Sequence, residues 1–264
     1  MFPSKWPNSI RGINNLSEEE KNAIYKTLLP NQLLKLYGLD LANPGPYRPI
    51  VIFHAPPKSR VMELIVKRDA RDFDNMFYLN MVDTFNNQLL VLLVVVNDLD
   101  SPRFNTDVDV HGYRTQFGTV NRNMAAETAA MEAGLSPGQV RQGLRAFKQF
   151  VPVFEKFVAT MEHELFFIEP LSYANAIIFE RYGFNYLRGR QDMIRIHQGF
   201  QPGGELHAKL TASNPFRHPN AGKTVRGRAW AIHDGILGHP FTGFQMYKRV
   251  GELAGVNTFP DAIW

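Results

Sequence analysis

Glu164-Leu165-Phe166-Phe167-Ile168, Glu169-Pro170-Leu171-Ser172, Tyr173-Ala174-Asn175-Ala176-Ile177-Ile178-Phe179-Glu180-Arg181, Tyr182-Gly183-Phe184 and Asn185-Tyr186-Leu187-Arg188 form one continuous stretch, and its reading decides the fold. The short apolar run 165–168 suits a buried strand. Pro170 and Ser172 punctuate it, and Tyr173 to Arg181 follows helical spacing. Gly183 then stands where a helix ends in the left-handed conformation. A second strand over 185–188 follows directly, so the stretch predicts a strand, a short helix and a neighbouring strand.

Outward from that unit, the preceding chain predicts an antiparallel meander. Ile50 to His54 and Val61 to Lys67 read as strands around Pro56-Pro57. Met76 to Thr84 and Gln88 to Asn97 read as two more, joined by a turn at Phe85-Asn86-Asn87. The last is apolar on both faces, as a central strand covered on each side would be. Ser17-Glu18-Glu19-Glu20 has the pattern of a capping box opening a helix to about Leu29, and Leu33, Leu34, Leu36 and Tyr37 continue its apolar face to Gly38. Residues 43–49, rich in Pro and Gly, are loop chemistry. Asn123 to Ala133 predicts a helix. Ser136-Pro137 opens another, whose apolar face runs through Val140, Leu144, Phe147, Val151, Phe154 and Val158, with Pro152 splitting or kinking it. After Arg190 the chain turns polar, Gln201-Pro202-Gly203-Gly204 is a loop, and Asn214 to Arg228 is a Pro-, Gly- and Arg-rich excursion. Ala229 to Leu237 and Phe241 to Ala254 predict closing helices.

Asn175-Ala176-Ile177-Ile178-Phe179-Glu180-Arg181-Tyr182-Gly183-Phe184 resembles the helix of the GCN5-related N-acetyltransferase (GNAT) family, which reads roughly Ala-Ile-x-x-Tyr-Glu-Lys-x-Gly-Phe; Glu180, Arg181, Gly183 and Phe184 match in register. The resemblance implies an α/β fold with a mixed, largely antiparallel sheet flanked by helices. A helical arm over 1–48 would precede a core over 49–200, and a loop and helical extension over 201–264 would follow. It also implies acetyl-CoA or another acyl-CoA as cofactor. Its pyrophosphate would lie where a glycine-containing loop enters a helix, here Gln139 to Ala146 with Arg141, Gln142 and Gly143. Ser172 falls on a family Asn and Asn175 on a family Ala. Phe179 stands where the family often has a tyrosine acid, so Tyr182 or Tyr173 would supply the proton. Ser172, Asn175 and Phe179 would line the cofactor.

Composition narrows the alternatives. The chain has 264 residues, a net charge of +4 and no cysteine. The absence of cysteine removes disulfides, thiolate nucleophiles and thiolate metal ligands, and it fits a reducing, cytoplasmic setting. Basic residues are scattered except around Arg217-His218, Lys223, Arg226 and Arg228, so no nucleic-acid partner is expected. The longest apolar run, Leu89 to Val96, is far short of a bilayer span, and no membrane partner is expected. A homo-oligomer is compatible with all of this.

Three other patterns carry possible chemistry. Asp107, Asp109 and His111 would share one side of a strand, a donor set suited to Mn, Fe(II) or Zn, against the alternative of a solvated turn. Gly118 stands where a calcium loop needs a bidentate Glu. Ala221-Gly222-Lys223-Thr224 ends like a phosphate-binding loop, but Arg217 occupies its required first glycine. Glu205, His207, His218, His233-Asp234 and His239 offer a general base, although Asp234 is too close to His233 to orient it along a helix. The expected function is acyl-CoA-dependent N-acyl transfer to a small-molecule acceptor. A catalytically silent GNAT-like binding domain is the second reading, and a metal-dependent enzyme using Asp107, Asp109 and His111 the third.

Overall fold

Alternating side chains and β-branched runs build the first half of the molecule. In the computed structural model, which describes residues 5–36, 38–43, 45–115, 121–143 and 147–264, the meander forms as β1 (Ile50–His54), β2 (Val61–Lys67), β3 (Phe77–Asp83) and β4 (Leu89–Val96). These strands pair antiparallel in sequence order, and the β3–β4 turn places Asn87 at φ 57°. The register of β3 and β4 slips between Asn80, opposite Leu93, and Met81, opposite Val91, so Leu92 is an extra residue in β4. Such a bulge bends the strand and locally re-aims its side chains. Tyr37, Gly118, Leu144 and Ala146, named above, lie outside the described residues.

Three helices precede the meander: α1 (Ile10–Asn14), α2 (Glu18–Lys26) and α3 (Asn31–Leu36). The capping box of α2 forms as expected, with Ser17 and Glu20 satisfying each other's backbone N–H groups. The Asp83 carboxylate, at the end of β3, accepts hydrogen bonds from the Ile10 and Arg11 N–H groups at 2.8 Å each, which ties α1 to the sheet. After α4 (Met124–Glu132) comes α5 (Phe147–Thr160), then β5 (Leu165–Ile168), α6 (Tyr173–Arg181), β6 (Asn185–Arg188), α7 (Arg190–Gly199), α8 (Val225–His233) and β7 (Gln245–Arg249). The strands form one seven-stranded, mostly antiparallel sheet in the order β1-β2-β3-β4-β5-β7-β6. The expected mixed α/β class is therefore observed.

Several expectations need correction. The strands β5 and β6 are not neighbours, because β7 lies between them. The segment 241–254 is not a helix. Gly238, Gly243 and Gly251 take left-handed φ values of 79°, 82° and 73°, and the strand between the last two buries Met246 and Lys248 on alternate positions. Ser136-Pro137 does not open a helix; 136–141 turns instead, with the Phe104 N–H donating to the Val140 carbonyl at 2.7 Å. From Phe147 the helix runs through Pro152 without interruption, losing one rung because proline has no N–H. Phe150, Phe154 and Phe157 hold it by lying one turn apart on a single face. The polar stretch after Arg190 is helical, since α7 buries Met193 and Ile196. Gly189 precedes α7 at φ 93°, and any Cβ there would fall 2.3 Å from the Phe244 ring.

The chain forms two compact units. One comprises Met1–Asp100, Gly143–Glu169 and Tyr247–Leu253, and the other Ser101–Gln142, Pro170–Met246 and Ala254–Trp264. In the first, α5 lays its phenylalanines on the buried face of the meander: Phe150 tilts on Phe77 at 5.6 Å, and Phe154 meets Phe166 of β5 edge-on at 4.8 Å. In the second, Trp230, Phe216, Leu135 and Ala130 form a separate core. Among the described residues no helix is long and apolar enough to cross a membrane.

Candidate functional site

In the second unit, Ser172 starts α6 as its N-cap. Its hydroxyl accepts from the Asn175 N–H at 3.3 Å and donates to the Asn175 Oδ1 at 2.9 Å. Tyr173 follows in the first turn, 1% exposed. Leu171, Ser172 and Tyr173, together with Ile232, His233 and Phe241, line a cleft of about 410 Å³. That volume suits a small molecule, and the walls are mostly apolar with a few polar groups, as in ordinary ligand sites.

Behind Tyr173 lies a buried cation. Arg228 is 2% exposed. Its Nε donates to the Gly222 carbonyl at 2.7 Å, and its Nη1 donates to His197 Nδ1 at 3.1 Å and to the Tyr173 hydroxyl at 3.4 Å. The guanidinium stacks over Phe259 at 3.6 Å and Phe200 at 5.2 Å. Burial pushes the Tyr173 phenol up to about 12, against the opposing pull of Arg228. Burial also lowers Arg228, while burial and then Arg228 lower His197. A donated Nη1–H requires Nδ1 of His197 to carry a lone pair. Tyr173 therefore keeps its proton at neutral pH, the form a general acid needs, but with a pKa well above the optimum for rapid transfer.

A second network stands behind the cleft wall. His233 Nε2 lies 3.2 Å from Oε1 of Glu127, and both side chains are under 10% exposed. Arg122 donates to Glu127 Oε2 from Nε at 2.8 Å and from Nη2, and to Asp234 Oδ1 from Nη1 at 3.0 Å. Asp234 Oδ2 accepts from Arg217 Nε at 2.7 Å and Asn214 Nδ2 at 2.9 Å. Thus Glu127, not the adjacent Asp234, orients His233. A carboxylate in this position fixes the ring orientation of an imidazole. Sequence reading did not single out Glu127 or Arg122. The available signal was one acid within the apolar run Met124 to Ala130.

Burial raises the Glu127 carboxyl, but hydrogen bonds from His233 and Arg122 outweigh it, and the net direction is downward. A carboxyl lowered on folding stabilises the protein above its unfolded pKa, and that contribution is lost as pH falls through the folded value. The Glu127→Gln variant is therefore expected to have a flatter acid limb in a plot of Tm against pH between about 3 and 6. The gap between wild type and variant should be widest near neutrality and narrow on acidification. A gap that widened as pH fell would contradict this linkage.

The remaining sequence-derived candidates are dispersed. Tyr182 caps the far end of α6, about 13 Å along the helix from Tyr173, so the two tyrosines do not share one centre. Phe179 is buried and packs on Phe184 at 5.3 Å. Arg141 donates to the Ser101 carbonyl, and the Gln142 N–H donates to the Ser101 hydroxyl at 3.2 Å. Gly143 is exposed in the segment leading to α5.

The aspartate-rich segment is tied into its own turn. Asp107 pairs with Arg103 at 2.8 Å, and Asp109 Oδ1 accepts from the His111 and Tyr113 N–H groups at 2.9 Å each. Among the described residues, no group of three or more His, Asp or Glu side chains is placed to hold a metal ion. Residues 219–223 form a 3-10 turn, and Thr224 caps α8 through its hydroxyl, so the Walker-like run is an ordinary helix entry.

No family model, no curated protein and no solved structure matches this chain.

Proposed function

We propose that the chain is a GNAT-like, acyl-CoA-dependent N-acyltransferase acting on a small-molecule acceptor in the cytoplasm. The observation that carries this reading is the β4–β5 junction. The two strands run parallel and pair only at Leu90 with Phe167 and Val91 with Ile168. Beyond Val91, residues Leu92–Val96 of β4 continue for roughly 16 Å without a β5 partner. An unpaired strand edge offers alternating N–H and C=O groups to any extended chain that carries amides. The pantetheine arm of coenzyme A has two secondary amides and is such a chain. The element order agrees with the sequence resemblance: a meander, a helix, β5, the helix α6 and a further strand.

Gly143, in the same unit as β4, would lie at the pyrophosphate. Tyr173 is the stronger of the two acid candidates, because it lines a cleft and is held protonated. A second reading, a silent ligand-binding domain of the same fold, is favoured by Phe179, which packs into the core and carries no proton. Acetyl-CoA at 100 times its Kd should stabilise the protein by about 2.7 kcal/mol, read as a rise in Tm. Transfer to an amine, read as release of free thiol, separates the enzyme from the silent domain. Absence of any Tm shift at millimolar acetyl-CoA and at millimolar CoA would defeat the transferase reading and leave the silent binding domain.

A further inference from the structure

The closing segment Ala254–Trp264 belongs to the second unit and contains no helix and no strand of the sheet. Separate contacts hold it instead. The Ala254 N–H donates to the Gly183 carbonyl at 3.2 Å, and the Ile263 carbonyl accepts from the Val225 N–H at 2.8 Å. Between these ends Glu180 binds Thr258, and the next residue, Phe259, is 4% exposed. The Arg228 guanidinium lies over the Phe259 ring at 3.6 Å, and the His197 ring packs against it at 5.2 Å. Phe259 is thus covered by two side chains, from α8 and α7, that also touch each other.

Arg228 Nη1 donates to His197 Nδ1 at 3.1 Å, so the contact exists only while that nitrogen carries a lone pair. Protonation turns it into N–H facing N–H and adds a second positive charge beside the first. The other partners of the guanidinium, the Gly222 carbonyl and the Tyr173 hydroxyl, are uncharged. Arg228 cannot give up its own proton, because a guanidinium stays charged in proteins. Asp261, exposed on the closing segment, favours the protonated imidazole. Burial and then Arg228 oppose it, and the net direction is downward. Gln201, at the other ring nitrogen, brings no charge. Among the described residues, the charged groups facing His197 are Arg228 from α8 and Asp261 from the closing segment, while Tyr173 of α6 reaches it only through Arg228.

We infer that His197 is a pH-sensitive latch: on protonation it parts from Arg228, uncovers Phe259 and frees the closing segment. His197 is the half that moves, since it is only half-buried, whereas Arg228 is 2% exposed and tied to Gly222 and Tyr173 as well. The histidine is neutral in the closed state and takes its proton more readily once the segment is released. The closed state is therefore at full strength above the ordinary histidine pKa of about 6.5, and it weakens as pH falls through that value. The latch needs no ligand and stands apart from the acyl-CoA reading.

Hydrogen exchange of peptides within Ala254–Trp264, read at about pH 7.5 and about pH 5.5 on wild type and on His197→Asn, tests the latch. Asparagine offers Arg228 an acceptor that does not titrate, and comparison at equal pH removes the direct effect of pH on exchange. The two proteins should exchange alike at the higher pH. At the lower pH the segment should exchange at least about threefold faster in wild type, with no difference at Met62 to Val66 of β2. Equal exchange at the lower pH, or an acceleration shared by Met62 to Val66, would overturn the inference. Where His197→Asn fails to fold by circular dichroism, an NMR titration of wild type decides. The Phe259 ring protons are then expected to shift with the same midpoint as the His197 ring, and a His197 titration that leaves Phe259 unmoved would overturn the latch.

Discussion

Replacing Trp230 with alanine is expected to destabilise the protein by about 3–5 kcal/mol, among the largest losses available to a single substitution. Trp230 is 1% exposed at the centre of the second unit's core. It stacks on Phe216 at 5.3 Å and meets His233 edge-on at 5.7 Å. Its indole Nε1 donates to the Leu135 carbonyl at 2.8 Å. Alanine removes the ring, leaves a cavity and orphans that carbonyl at once. Trp230→Phe keeps most of the apolar volume and should lose much less. Chemical denaturation of both variants checks the order. A loss under about 1 kcal/mol for alanine would mean that this core is not close-packed.

Glu180→Ala is the second large effect, expected at about 3 kcal/mol or more, or a Tm fall of roughly 6–12 °C. The carboxylate is 4% exposed. Its Oε1 accepts from the Tyr186 and Thr258 hydroxyls at 2.6 Å each, and its Oε2 from the Thr258 N–H at 2.8 Å. One side chain thus joins α6 to β6 and to the segment near the end of the chain. Removing it strands three buried donors, each of which costs a desolvation penalty. Tyr186→Phe removes a single donor and leaves the carboxylate its other two partners, so it should cost about 1 kcal/mol. Equal losses for the two variants would contradict the shared-acceptor account.

The structural weight of Glu180 bears on what was legible from sequence. The β5–α6–β6 stretch was readable because its periods are pure: an apolar run of four, helical spacing, and a glycine stop whose φ is 81°. The four meander strands were legible for the same reason. β7 was not, because Lys248 occupies an inward position. Its ammonium is matched by Glu155 at 2.9 Å and by backbone carbonyls, so a buried site carries a polar letter and the alternation disappears. The helix α7 was hidden by having few apolar residues to bury, chiefly Met193 and Ile196, among charged neighbours. The pairing of Glu127 with His233 joins residues 106 apart, and no local pattern encodes it. Glu63 of β2 and Tyr78 of β3 likewise meet only through strand register, the Tyr78 hydroxyl donating to Glu63 Oε1 at 2.9 Å.

An N-acyltransferase of the proposed kind receives an extended, amide-bearing ligand at the edge of β4 beyond Val91. Amide hydrogen exchange of Leu92–Val96, with and without saturating acetyl-CoA, tests it most directly. The expected result is slower exchange at alternate residues of this segment, with no change at Met62 to Val66 of β2. Exchange over Leu92–Val96 that is the same with and without saturating acetyl-CoA would contradict it.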